Sequence, residues 1–146
     1  MGPWRSAGKH LYYLQDDLLV MRASGMLDLA EAQWLMATTA GLVATYGYSL
    51  LLADVSAGIA IPAQVRRWIG DWHKKNSAAY GSAVVVGAGA VVRTLITMIN
   101  SGVRLLGMES GDLIFARNEA DGWAIIAQRR KMWQERLAQQ TAARPR

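Results

Sequence analysis

Two short apolar runs, Ser49-Leu50-Leu51-Leu52-Ala53-Asp54-Val55 and Ser82-Ala83-Val84-Val85-Val86-Gly87, constrain this chain most. Neither alternates with polar residues. A strand with one wet face alternates apolar and polar, whereas a strand this uniformly apolar is covered on both faces. The economical way to cover both faces of a sheet is a parallel arrangement, because each parallel crossover brings a helix back over it. At 146 residues and 52% hydrophobic, the chain is long and apolar enough to bury one such core, which points to a single domain.

The segments between the runs carry helical spacing. Asp28 with Glu31 forms a capping-box signature, and Ala32, Leu35, Met36, Thr39, Val43 and Tyr46 follow on one face. Trp34 falls off that stripe, and Gly47 closes the helix. After Pro62, Val65, Trp68, Ile69 and Trp72 face inward, while Arg66, Arg67, Asp71, Lys74 and Lys75 face outward. A third helix runs from Ala90 to about Leu106, with Val92, Leu95, Ile96, Ile99 and Val103 on one face. Asn118 caps a fourth, through Trp123, Ile126 and Trp133. Upstream, His10 to Gly25 reads as two strands around an Asp16-Asp17 turn, and Asp112 to Ala116 as a last strand.

The order β-β-α-β-α-β-α-β-α predicts an α/β domain. Its central, mostly parallel mixed sheet has about five strands and an antiparallel edge strand, with about four helices around it. The domain is expected over residues 11–127, after a loosely held N-terminus at 1–10 and before a basic C-terminal helix end and tail at 128–146. The net charge of +5 is unevenly placed. Residues 1–127 hold ten Lys/Arg and ten Asp/Glu, whereas the tail carries six basic residues against Glu135. The high pI thus describes a tail, and specific nucleic-acid binding is not expected. There is no cysteine, no secretory signal and no apolar run of membrane-spanning length. A cytoplasmic location follows as the expectation.

Few residues suggest chemistry. Gly87-Ala88-Gly89-Ala90-Val91-Val92-Arg93 imitates a dinucleotide loop, but Val92 stands where the third glycine belongs. What survives is a helix start with free N–H groups and Arg93, suited to an anion. The histidines, His10 and His73, lack zinc spacing, and His73 is expected on a solvated face. Ser56 is not in a nucleophile elbow. Neither an enzyme, a metal nor a cofactor is expected. The third helix carries a second apolar row, Val91, Leu95, Met98 and Leu105, which suits a homodimer interface or the wall of a hydrophobic ligand slot.

In order, the opening hairpin, Leu50 to Ser56 with its loop and helix, Ala83 to Ile99, and Asp112 to Ile126 resemble STAS-type domains. They are most similar to the subgroup like the sporulation anti-sigma-factor antagonist, through Val84 to Gly87, Arg93, Phe115, Glu119, Ala120 and Trp123. The related CRAL-TRIO lipid-binding domains share some of this pattern. The resemblance implies a small α/β regulatory module that binds proteins, and in the antagonists a serine at the start of the helix after the central strand is phosphorylated. Here that helix starts Ile61-Pro62-Ala63-Gln64, without a hydroxyl, and Ser56 lies earlier. The expected function is therefore partner binding without the phosphoserine switch. A lipid or other hydrophobic small ligand is the alternative, and a switch using Ser56 the second. The candidate contact residues are Asp54, Ser56, Gly58, Ile59, Gln64, Gly87, Gly89 and Arg93.

Overall fold

The computed structural model describes residues 3–76, 81–105 and 112–145, with side chains described except at 102–105 and 112. Its centre is a six-stranded sheet of β1 (Arg5–Ala7), β2 (His10–Gln15), β3 (Leu18–Arg22), β5 (Ser49–Asp54), β7 (Gly81–Val86) and β8 (Asp112–Ala116), in that spatial order. Two further short strands, β4 (Gly25–Met26) and β6 (Ile59–Ala60), pair with each other. The helices are α1 (Leu29–Tyr46), α2 (Ala63–Lys75), α3 (Ala90–Leu105) and α4 (Glu119–Ala143). The β1–β2 and β2–β3 pairs are antiparallel, and the β3–β5, β5–β7 and β7–β8 pairs are parallel. The expected α/β architecture is observed, with β1 as one more antiparallel edge strand.

From β3 onward, the strands of this sheet enter in chain order, each beside the last. Right-handed crossovers made repeatedly in one direction place their helices on one face. Accordingly α1, α2 and α3 pack over Leu19, Met21, Ala53 and Val85, while α4 packs over the opposite set, Leu50, Leu52, Val84 and Val86. Within β5, Leu50 and Leu52 point one way and Leu51 and Ala53 the other, and all four join a core. That is why the run could not alternate. Gly122 of α4 lies on Val86 and Leu52, so close that a Cβ there would stand 2.9 Å from Val86 Cγ2.

The caps form as expected. Asp28 and Glu31 complete a capping box, Gly47 ends α1 at φ 84°, and Asn118 accepts from the Asp121 N–H. The buried stripe of α1 is rotated from the expected one. Leu42, not Val43, joins Leu35 in the core, and Tyr46 is exposed at the helix end. Trp34, off the stripe, is partly buried against Tyr12, with ring centroids 4.3 Å apart. Pro62 is the N-cap residue of α2, one position before the first helical turn. Leu106 lies outside the described residues.

The domain edges expected at 11 and 127 do not coincide with the elements. Before residue 11, β1 pairs with β2, Trp4 stacks edge-on against Tyr13, and His10 is 1% exposed. Nδ1 of His10 accepts from the Ser24 N–H at 3.0 Å, so its proton sits on Nε2, which meets Glu31 Oε2 at 2.9 Å. Burial raises the Glu31 carboxyl, but hydrogen bonds from the Asp28 N–H, His10 and the Lys9 N–H outweigh it and hold it below its ordinary range.

After residue 127, α4 continues to Ala143 with Trp133 in the core. The Trp133 indole N–H donates to Ser82 Oγ at 2.9 Å, and its ring stacks on Tyr48. Arg130 grips the carboxylate of Asp17 through Nε at 3.0 Å and Nη2 at 2.7 Å, and Tyr48 donates to the same carboxylate at 2.5 Å. Part of the basic tail is thus a clamp that holds the β2–β3 turn against α4. Burial raises Asp17, yet the hydrogen bonds from Arg130 and Tyr48 keep it below the usual carboxylate range. Tyr48 is pushed up to about 12, by burial and then by its bond to Asp17.

Candidate functional site

In open α/β sheets, ligands gather beyond the carboxyl ends of the strands, where neighbouring connections leave toward opposite faces. Here that divergence lies between β7, which leads to α3, and β8, which leads to α4. Most of the expected contact residues sit around this edge. Asp54 ends β5 and accepts from both the Ser56 N–H at 2.9 Å and the Ser56 hydroxyl at 2.6 Å. This local turn orders the loop. Gly58 has φ 90° and donates its N–H to the Val55 carbonyl. Gly87, at φ 77°, presses on the same turn, where an added Cβ would stand 2.7 Å from Ser56 Cβ. The fold therefore brings Asp54, Ser56, Gly58 and Gly87 together.

The others separate. Ile59 pairs with Gly25 in the small sheet and packs partly into the core. Gln64 is exposed on the first turn of α2. A Cβ added at Gly89 would meet nothing within 4 Å beyond its chain neighbours, so no close approach requires a glycine there. Arg93 folds back: its Nε donates to the Ala88 carbonyl at 3.1 Å and its guanidinium lies 5.0 Å from the Phe115 ring. Of the second apolar row on α3, Val91 is 83% and Met98 65% exposed. Leu95 instead packs partly against the core, and Leu105 lies outside the described side chains. His73, expected to be solvated, is half-buried beside Trp72, and burial pushes it below its ordinary value.

A cleft of about 40 Å³ opens at the same carboxyl edge, on the α4 face. It is lined by Val20, Met21, Leu52, Val86, Trp4 and Tyr13, with the more exposed Arg22, Asp54 and Glu119 at its rim. Arg22 and Asp54 are paired positions of β3 and β5. The Arg22 guanidinium lies 4.5 Å from the Trp4 ring. Burial raises the Tyr13 phenol above its ordinary value, Glu119 raises it further, and Arg22 opposes them. Of these residues, the sequence reading singled out Asp54 as a contact and Glu119 through the resemblance. Trp4, Tyr13 and Arg22 were missed, because they come together only when β1, β2 and β3 lie side by side. The available signal was parity: Tyr13 shares a sheet face with Val20 and Arg22.

Among the described residues, no three His, Cys, Asp or Glu side chains gather as a metal site, and no helix is long and apolar enough to cross a membrane. The fold and this edge define an α/β domain with an open, mostly parallel sheet. Compared with known proteins, the chain matches no family model and no curated protein.

Proposed function

We propose that this chain is a non-enzymatic, STAS-like binding module that docks a protein partner with the carboxyl edge of its sheet. One contrast carries the reading. The buried charged groups and Tyr48 are engaged in structural hydrogen bonds, as Asp17, Tyr48, His10 and Glu31 are, and among the described residues no side-chain nitrogen or oxygen wholly out of solvent lacks a partner. Charged and amide groups stand exposed at the edge instead: Arg22, Gln64, Arg93 and Glu119, with Asp54 and Ser56 between them. Such a rim suits recognition of a surface more than catalysis, which needs several groups converging on one point.

The Ser56 geometry favours a module without the phosphoserine switch. Its hydroxyl is committed to Asp54 at 2.6 Å, and a phosphate there would set new negative charge against that carboxylate. A lipid or other hydrophobic ligand gains no support from the cleft. Its volume of about 40 Å³ is far below the roughly 300–1,000 Å³ of pockets that enclose small molecules.

Photocrosslinking in the native host tests the reading. A photoreactive residue at Gln64, on the proposed edge, is compared with one at Thr45, exposed at the other end of α1. Crosslinks to a defined protein from position 64, absent from position 45 and reduced by Asp54→Lys, are expected. Equal crosslinking from both positions, or none from position 64, overturns it.

A further inference from the structure

The Tyr13 side chain lines the cleft, the residue is 2% exposed, and its hydroxyl has no hydrogen-bond partner among the described residues. Among the described residues no side-chain polar atom wholly out of solvent lacks a partner, so this oxygen keeps a small solvent contact, and the cleft that Tyr13 lines is the opening from which a ligand donor can reach it. The charges around it are not balanced. Glu119 forms no hydrogen bond or ion pair with the described residues, and Asp54 engages Ser56 through one carboxylate oxygen only. The single cation of the rim, Arg22, rests on the Trp4 ring and pairs with neither carboxylate. Glu119 also opens α4, whose N-terminus offsets part of its charge. That end already holds Asp121, tied to Arg117, and the Asn118 cap. Burial is the main reason the Tyr13 phenol is raised, and of the two charges acting on it Glu119 raises it more than Arg22 lowers it.

We propose that the cleft binds an aliphatic primary ammonium group, its N–H donors shared between the Tyr13 oxygen and the Glu119 and Asp54 carboxylates. The first methylenes then lie on Leu52 and Val86, against the edge of Trp4. About 40 Å³ takes a compact ammonium head. A quaternary ammonium is bulkier and brings no donor for the phenol. The group comes either from a free alkylamine or from a lysine side chain of a partner. The proposal rests on the binding reading for its location, and it names the chemistry that part of the edge selects.

The full chain, isotope-labelled, is titrated by NMR with 1,4-diaminobutane and with N-acetyl-lysine methylamide. Butyrate and tetramethylammonium serve as controls. The expected result is saturable shifts of the Trp4 indole and the Tyr13 and Glu119 amides, with Kd on the order of 1 mM, for one or both amines and neither control. Response to the lysine derivative alone assigns the source to a protein side chain, and response to the diamine alone to a free amine. Tyr13→Phe and Glu119→Gln should each weaken binding about five-fold or more, with the remaining spectrum unchanged. Preference for butyrate would reassign the cleft to an anion on Arg22 and overturn the proposal, as would no saturable shift or indifference to Glu119→Gln. Such a failure leaves the crosslinking result untouched, so the docking reading and the ammonium site fail separately.

Discussion

Arg130→Ala tests whether the residues after 127 belong to the folded domain. The side chain removed is 35% exposed, and the carboxylate it leaves behind, Asp17, is 5% exposed. Wild-type Asp17 accepts from Arg130 Nε and Nη2 and from Tyr48. In the variant only the Tyr48 bond remains from side chains. Removing one partner of a fully buried ion pair costs about 3–5 kcal/mol, because a charge stays uncompensated in a low-dielectric site. Here the vacated space opens toward solvent, so water rehydrates part of the carboxylate. The expected loss is about 2–3 kcal/mol at pH 7.

The pH dependence has a definite sign. The folded carboxyl lies below its ordinary value, so its contribution is present above the unfolded pKa, near 3.9, and is lost as pH falls through the folded value. Without the guanidinium, burial is opposed mainly by Tyr48, and protonation relieves the variant. The gap between variant and wild type should shrink to under about 1 kcal/mol near pH 3. Urea unfolding at both pH values measures it. A loss below about 0.5 kcal/mol at pH 7, or a gap that does not change with pH, refutes the clamp.

Trp133→Ala should cost about 3–5 kcal/mol in the same assay, since a 6% exposed indole bonded to Ser82 leaves a large cavity; a cost under about 1 would place α4 outside the core. Gly87→Ala should destabilise by about 2 kcal/mol or more, because φ 77° is strained for alanine and its methyl meets Ser56; a neutral result would show that the loop yields freely. Met98→Glu should change stability by less than about 0.5 kcal/mol, its side chain being 65% exposed; a loss that grows with protein concentration would show a second copy covering α3.

Local rules made much of this fold legible. Capping by Asp28 and Asn118, closure by Gly47 and the unbroken apolar runs of β5 and β7 each depend on residues within a few positions of one another. Charge counting misled at the C-terminus, because it treats Arg130 as one more solvated cation. Its partner, Asp17, is 113 residues away. Of the candidate site, the sequence singled out Asp54, Ser56 and Gly87 as contact residues, but the turn joining Asp54 to Ser56 and the close approach of Gly87 to it appeared only in the structure. The sequence assigned Leu95 to both apolar rows of α3, and only the packing shows that Leu95 goes with Val92, Ile96 and Ile99 toward the core.

By itself the sequence determined the order of the nine main elements, though not the short strands β1, β4 and β6, together with the caps and the demand for a sheet covered on both faces. These follow from backbone hydrogen bonding and from apolar spacing, which are short-range. Only the tertiary structure decided that α1, α2 and α3 share one face and leave α4 alone on the other, that residues before 11 and after 127 are structural, and that Trp4, Tyr13, Arg22, Asp54 and Glu119 enclose one cleft. Those residues come from separate segments, and the sheet register brings them within reach. Pairing between distant segments is fixed by the whole core at once, so no local pattern records it.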